Sequence, residues 1–181
     1  MDIAAAITLL AALAIAVITD LRSQRIPNWL TFPLMLSGLV AHAVANGLDG
    51  LLFASAGFGL GLGVMLVPFL LGMMGAGDVK LMAGVGAWLG ASTAFAAFIF
   101  TCLVGGVYAL VVLLRHMDHL KAVLANFRAS VFILLSSHRF EYVPVKSERV
   151  LPRLCYGVAI AAGTLASMGL AFHRTGLFYA P

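Results

Sequence analysis

Charge is what this chain has least of. Only 10% of its 181 residues are charged, 62% are hydrophobic, and the mean hydropathy is +1.06. A soluble domain carries about 25% charged residues. A chain this poor in charge cannot cover its own surface with polar groups, so a soluble globular enzyme is excluded. Its apolar richness excludes disorder as well. Cysteine is also scarce: Cys102 and Cys155 lie far apart in apolar sequence. Two lone cysteines form neither a zinc pattern nor a disulfide framework, and both read as small core residues. The start of the chain, Met1-Asp2, has no basic region, and Arg22 and Arg25 follow the apolar run rather than precede it. That is the pattern expected of a first span with its N-terminus outside the cytoplasm. No low-complexity linker and no internal repeat divides the chain, so residues 1–181 read as a single integral membrane domain.

What is there is a series of apolar runs. They cover 3–19, 29–45, 51–73, 79–89, 92–114 and 154–172. A membrane helix needs about 20 apolar residues. The expectation is therefore an all-α membrane protein of about six spans. The net charge of +4 comes from 11 Lys+Arg against 7 Asp+Glu. In this setting such an excess sets topology and does not call for nucleic acid. With the N-terminus outside, the first, third and fifth loops face the cytoplasm. They then hold every basic residue except Arg174: Arg22 and Arg25, then Lys80, then Arg115 through Arg153. In 119–137, Leu120, Val123, Leu124, Phe127, Val131 and Leu134 recur at helical spacing around Lys121 and Arg128. That pattern predicts an amphipathic helix on the cytoplasmic surface. The alternative is a further, poorly formed span through 131–135. The basic segment 119–153 is expected to meet anionic lipid.

Glycine is abundant, with 19 residues, and Gly57, Gly59, Gly61 and Gly63 place small residues four apart on two faces of the third span. Such faces let helix backbones approach closely in lipid. A nucleotide-binding glycine loop would need a strand before it and is rejected.

Five acids, Asp2, Asp49, Asp118, Glu141 and Glu148, read as solvated loop charge. Asp20 and Asp78 differ. Asp20 lies where the first span meets the cytoplasmic face, and Asp78 opens the fourth span on the same face. A carboxylate near the hydrocarbon boundary is costly unless paired or wet. Each has a bland reading: Asp20 as an interfacial helix end, Asp78 as an N-cap after Gly77. Together, at one depth and one face, they suggest a two-carboxylate site. Two close carboxylates share one proton and titrate as a unit. The ionised one takes a proton from water, and the neutral one donates to a substrate carbonyl. That chemistry calls for no metal and no cofactor.

Around Asp78 the chain reads Gly75-Ala76-Gly77-Asp78-Val79-Lys80, and the two glycines are candidates for admitting an extended substrate backbone. Lys80 reads as a lipid-phosphate partner, a snorkelling cation or a supporting group. Arg22 and Arg25 are topology signals or contacts to lipid or substrate. Pro27-Asn28 reads as a turn followed by the cap of the second span.

These two stretches resemble the prepilin peptidase family, membrane aspartic proteases that process type IV pilin precursors. Asp20, Arg22, Ile26, Pro27 and Asn28 match its Asp-x-Arg-x-x-x-Ile-Pro-Asn context, and Gly75-Ala76-Gly77-Asp78-Val79-Lys80-Leu81 matches its Gly-x-Gly-Asp motif with the Val-Lys-Leu continuation. The resemblance implies a GxGD-type core with Asp20 and Asp78 as catalytic residues. Gly75 and Gly77 would give backbone access, with support from Lys80, Arg22 and Asn28. It implies a prepilin or pseudopilin precursor with a short basic leader as substrate, in the bacterial inner membrane. Long members add a cytoplasmic domain with paired Cys-x-x-Cys motifs and a methyltransferase activity. This chain has no such pairs and looks like the short branch associated with tight-adherence (Flp) pili, which leaves N-methylation open. A small proton-coupled transporter or a non-enzymatic scaffold of a pilus or secretion machine are the alternatives. Against the transporter stand the position of both acids at one face and the lack of an inverted repeat.

Overall fold

The structure, a computed structural model, describes residues 3–115 and 155–178. The surface helix expected over 119–137, the basic connection 139–153 and the question of insertion at 131–135 lie outside the described residues. The chain divides into two compact units, Met1–Gly105 with Cys155–Pro181, and Gly106–Leu154. Of the second unit, 106–115 is described and is helical. All contacts below lie within the first unit.

The described residues are helical, with no strand among them. The helices are α1 (Ile3–Ser23), α2 (Asn28–Leu70), α3 (Ala76–Arg115) and α4 (Tyr156–Thr175). Each is long and apolar enough to cross a membrane. Two of them are interrupted. Asn46 (φ −131°, ψ 15°) and Gly47 (φ 60°, ψ −135°) break α2. Gly90 (φ 75°, ψ 173°) breaks α3. The apolar runs expected at 29–45 and 51–73 thus fall on α2 on either side of its break, the last three residues of the second lying in the turn after it, and those at 79–89 and 92–114 belong to α3.

The stretch 81–90 of α3 is buried at every residue and forms the centre of the unit. Small residues make this possible. Gly57 of α2 and Gly86 of α3 meet backbone to backbone, and Gly61 meets Met82 in the same way. A Cβ on Gly38 would lie 3.0 Å from Ala87 and from Trp88. Gly59 and Gly63 have open space in front of them. Of the two small faces expected on this helix, only the Gly57–Gly61 face packs. Trp88 Nε1 donates to the Leu34 carbonyl over 3.0 Å, and His42 Nε2 lies 3.0 Å from the Trp88 carbonyl. Both bonds tie the first part of α2 to α3.

α1 presents Leu9, Leu13, Ala16 and Asp20 as a buried stripe at helical spacing and packs against α4 and α2. α4 buries Gly157, Ile160, Gly163, Thr164 and Ser167, and a Cβ on Gly163 would overlap Thr101 of α3. Two buried hydroxyls are satisfied within their own helices: Thr101 donates to the Ala97 carbonyl and Thr164 to that of Ile160, both over 2.7 Å. This is how a helix keeps a polar side chain in an apolar setting. Large apolar side chains point outward instead; Val44 is 83% exposed and Leu52 67%. Glycines at the helix contacts and large apolar side chains on the outer surface are what is expected where the surrounding solvent is lipid.

Candidate active site

Asp78 sits in the first turn of α3 and is 8% exposed. Its Oδ2 accepts the Gly75 N–H over 2.9 Å, while its own N–H donates to the Gly75 carbonyl over 3.1 Å. The side chain therefore reaches back three residues to the amide before the helix, which is the acidic half of a capping box. This corrects the expected N-cap role: Asp78 lies inside the first turn, and Gly75 is the capped residue. A Cβ on Gly75 would meet only Asp78 Oδ2 at 3.5 Å, an ordinary contact.

Asp20 sits in the last turn of α1 and is 5% exposed. Gln24 follows in the left-handed conformation (φ 52°), and its N–H donates to the Asp20 carbonyl over 2.8 Å, closing the helix. The Asp20 side chain turns away from its own helix. Oδ2 accepts the Gly157 N–H over 2.8 Å, across 137 residues of sequence. Gly157 is the second residue of α4, and the N-cap Cys155 supplies no side-chain bond. Asp20 thus caps a different helix from the one that carries it, and its charge lies at the positive end of the α4 dipole.

The two carboxylates, buried at the ends of different helices, act on one another. Asp20 lies within electrostatic reach of Asp78, and Cys155 feels both. Two contacts join the stretches that carry them. Ile26, in the turn after α1, lies over Gly77: a Cβ there would be 2.9 Å from the Ile26 carbonyl oxygen and 3.0 Å from its Cβ. The space in front of Gly77 is therefore filled by the chain itself, whereas Gly75 keeps room. Lys80 Nζ donates to Asn28 Oδ1 over 2.8 Å and lies 4.9 Å above the Phe32 ring. Asn28 is the first residue of α2 behind Pro27, so its side chain serves this bond and caps nothing, contrary to the expectation for a cap. Arg22 is exposed at the end of α1 and lies outside these contacts.

Cys155, expected to be a small core residue, borders the acids. Its Sγ lies 3.9 Å from the Asp20 carbonyl. Burial first, then the negative charges of Asp20 and Asp78, hold its thiol above the usual range. A thiol held up in this way is a poorer nucleophile than a free cysteine. Among the described residues no three His, Cys, Asp or Glu side chains gather into a metal-binding group. What remains is a pair of buried carboxylates on two helices, each holding one backbone N–H.

The model of the type IV leader peptidase family matches residues 7–110. The chain belongs to that family. Its match includes Asp20, Asn28, Asp78 and Lys80 and stops before Gly157. A prepilin leader peptidase/N-methyltransferase of Bacillus subtilis (strain 168) is 37% identical over 107 residues, which is 57% of this chain and 42% of that protein. The chain thus matches less than half the length of this curated relative. No solved structure matches it.

Within this leader peptidase family member, the residues that the motifs did not reveal are Ile26 as a packing partner, Cys155 and Gly157. Ile26 stands inside the Asp-x-Arg-x-x-x-Ile-Pro-Asn context, which carries no sign of its packing on Gly77. Gly157 carries no local signal, being one of 19 glycines.

Proposed function

We propose that the chain is a membrane aspartic endopeptidase that removes the short basic leader from type IV prepilins or pseudopilins of the Flp-like kind. The observation that carries this reading is the pairing of Asp20 and Asp78, two buried carboxylates 58 residues apart in the matched region that lie within electrostatic reach of one another. Nothing structural requires two such charges side by side, and their mutual repulsion disfavours it. In the reaction, the ionised carboxylate takes a proton from water. The resulting hydroxide attacks the scissile carbonyl carbon, whose oxygen is held by the proton of the other carboxylic acid. The C–N bond then breaks, and the leaving nitrogen receives a proton from the pair. No metal or cofactor takes part in the proposed steps.

In this reading the membrane is crossed six times. A helix of 43 residues is about 65 Å long and one of 40 about 60 Å, roughly twice the hydrocarbon thickness. The breaks at Asn46–Gly47 and Gly90 supply the turns that such lengths need. The segment 76–89 is too short to span alone, but its burial among other helices removes the need to match the lipid. The active site then lies at the cytoplasmic face of the inner membrane, with the N-terminus outside, where a leader peptide waits. The basic residues of 119–153 bind anionic lipid. The short-branch resemblance favours leader cleavage alone, without N-methylation.

Co-expression with a candidate pilin precursor tests the reading. Wild type should give the mature mobility shift. Asp20→Asn and Asp78→Asn, at equal membrane levels, should each lower cleavage by about 100-fold or more, in line with the loss of a general acid or base. Unimpaired cleavage in either variant would remove that residue from the chemistry. A scaffold, by contrast, tolerates both changes and cleaves nothing.

A further inference from the structure

We propose that Gly157, at the start of α4 and outside the family match, is a positioning residue that holds the Asp20 carboxylate in its working orientation. This rests on the reading of Asp20 as one of the two catalytic acids.

Three observations carry it. First, the Gly157 N–H donates to Asp20 Oδ2 over 2.8 Å in a buried setting. A hydrogen bond to the charged form of an acid favours that form, and it fixes the side chain so that Oδ1 is the oxygen left for water or substrate. Second, the donor belongs to the first turn of a 20-residue helix whose own N-cap makes no side-chain bond. The Asp20 charge completes that helix end, so α4 and Asp20 stabilise each other. Third, the contact has no spare room. A Cβ on Gly157 would lie 2.9 Å from Asp20 Oδ2, 3.1 Å from its Cβ and 3.2 Å from its Cγ. Glycine is needed here for close approach, since no left-handed φ is recorded at this position. Any larger residue pushes the carboxylate off the amide. The titratable groups that face Asp20 from the neighbouring elements are Asp78 on α3 and Cys155 at the foot of α4; Tyr156, the next residue of α4, feels Asp78 and Cys102. Lys80 is bonded to Asn28, and Arg22 and Arg25 are exposed. Among the described residues, no side-chain cation is recorded in an ion pair with Asp20, so the backbone N–H is its recorded donor.

The test uses the full chain in liposomes with a pilin precursor, and follows cleavage from about pH 5 to pH 9. The variants are Gly157→Ala, Cys155→Ser, Asp20→Asn and Gly169→Ala. Gly169 lies on the same helix with open space before it, so its variant should match wild type. Gly157→Ala should lower cleavage at neutral pH by about tenfold and move the acid limb of the profile to higher pH, because the anion has lost its donor. Cys155→Ser places a hydroxyl at the α4 N-cap, where it competes for the amides of the first turn without crowding Asp20. It should move the same limb in the same direction by a smaller amount, in a protein that folds as well as wild type. A merely structural defect would scale the whole profile and leave the limb in place. If Gly157→Ala does not accumulate, Cys155→Ser alone decides. An unmoved limb in every folded variant overturns the role of Gly157 while the aspartate reading stands. Substantial cleavage by Asp20→Asn overturns both.

Discussion

The two acids are held in opposite ways. Asp78 is secured by its own turn, through an amide three residues back. Asp20 is secured by the first turn of a helix 137 residues further along the chain. The first device forms wherever the segment is helical. The second exists only when α1 and α4 are packed together, so one half of the site is assembled by local structure and the other by the tertiary fold. Contacts that join distant elements should therefore be the vulnerable ones, and those inside the Gly75–Asp78 turn the tolerant ones.

Outside the two acids themselves, the largest effect is expected at the Ile26–Gly77 junction. Gly77→Val would drive a branched side chain into the Ile26 backbone, which has no flexible end to move aside. Overpacking of this kind costs about 1–3 kcal/mol, and cleavage should fall by about tenfold or more at equal membrane level. Gly75→Ala is its local counterpart. With Asp78 Oδ2 as the one neighbour at 3.5 Å, cleavage should stay within about threefold of wild type. Equal losses in the two variants, measured as initial rates of precursor conversion, would remove the distinction between the junctions.

Next comes the cap on α4. Asp20→Asn keeps an oxygen that can accept the Gly157 N–H, whereas Asp20→Ala leaves the α4 end uncapped. The alanine variant should be less stable than the asparagine variant by about 1 kcal/mol, read as a lower midpoint of thermal unfolding in detergent. Coincident midpoints would mean that the bond to α4 holds nothing.

The Asn28–Lys80 bond is a third join, at the exposed edge of the site. Asn28→Ala and Lys80→Met should each slow cleavage by about two- to fivefold, and the double variant should be no slower than the worse single. Multiplied losses would show that the two side chains act apart.

The smallest effect is on Cys155. Its thiol is held up by burial and by the charges of Asp20 and Asp78, so removing one charge must lower its pKa and raise the thiolate fraction at a given pH. In a Cys102→Ser background at pH 8, alkylation should be about two- to fivefold faster in Asp20→Asn and Asp78→Asn than in the parent. Unchanged rates would mean that the acids do not act on the thiol.

The same contrast explains what the sequence disclosed. The apolar runs and the glycines that punctuate them are local features, so the helical stretches could be marked, including the short one opening at Asp78. Both aspartates were legible because each stands in a short motif, and topology put them at one face. Spacing could not tell which glycines pack. Gly57 and Gly61 meet α3 while Gly59 and Gly63 face open space, and the face is chosen by the neighbouring helix. Asn28 and Lys80 stood out separately, yet their bond depends on how α2 meets α3. Gly157 was invisible for the same reason: its partner lies at the other end of the chain.

The central claim is that Asp20 and Asp78 act as one unit, and the most direct measurement compares the cleavage rates of Asp20→Asn, Asp78→Asn and the double variant in liposomes. Residues that work as a unit are grossly non-additive. Each single change should abolish cleavage nearly as completely as both together, with the double within about threefold of either. Two partial losses that multiply in the double variant would contradict a shared site, as would a single variant that cleaves like wild type.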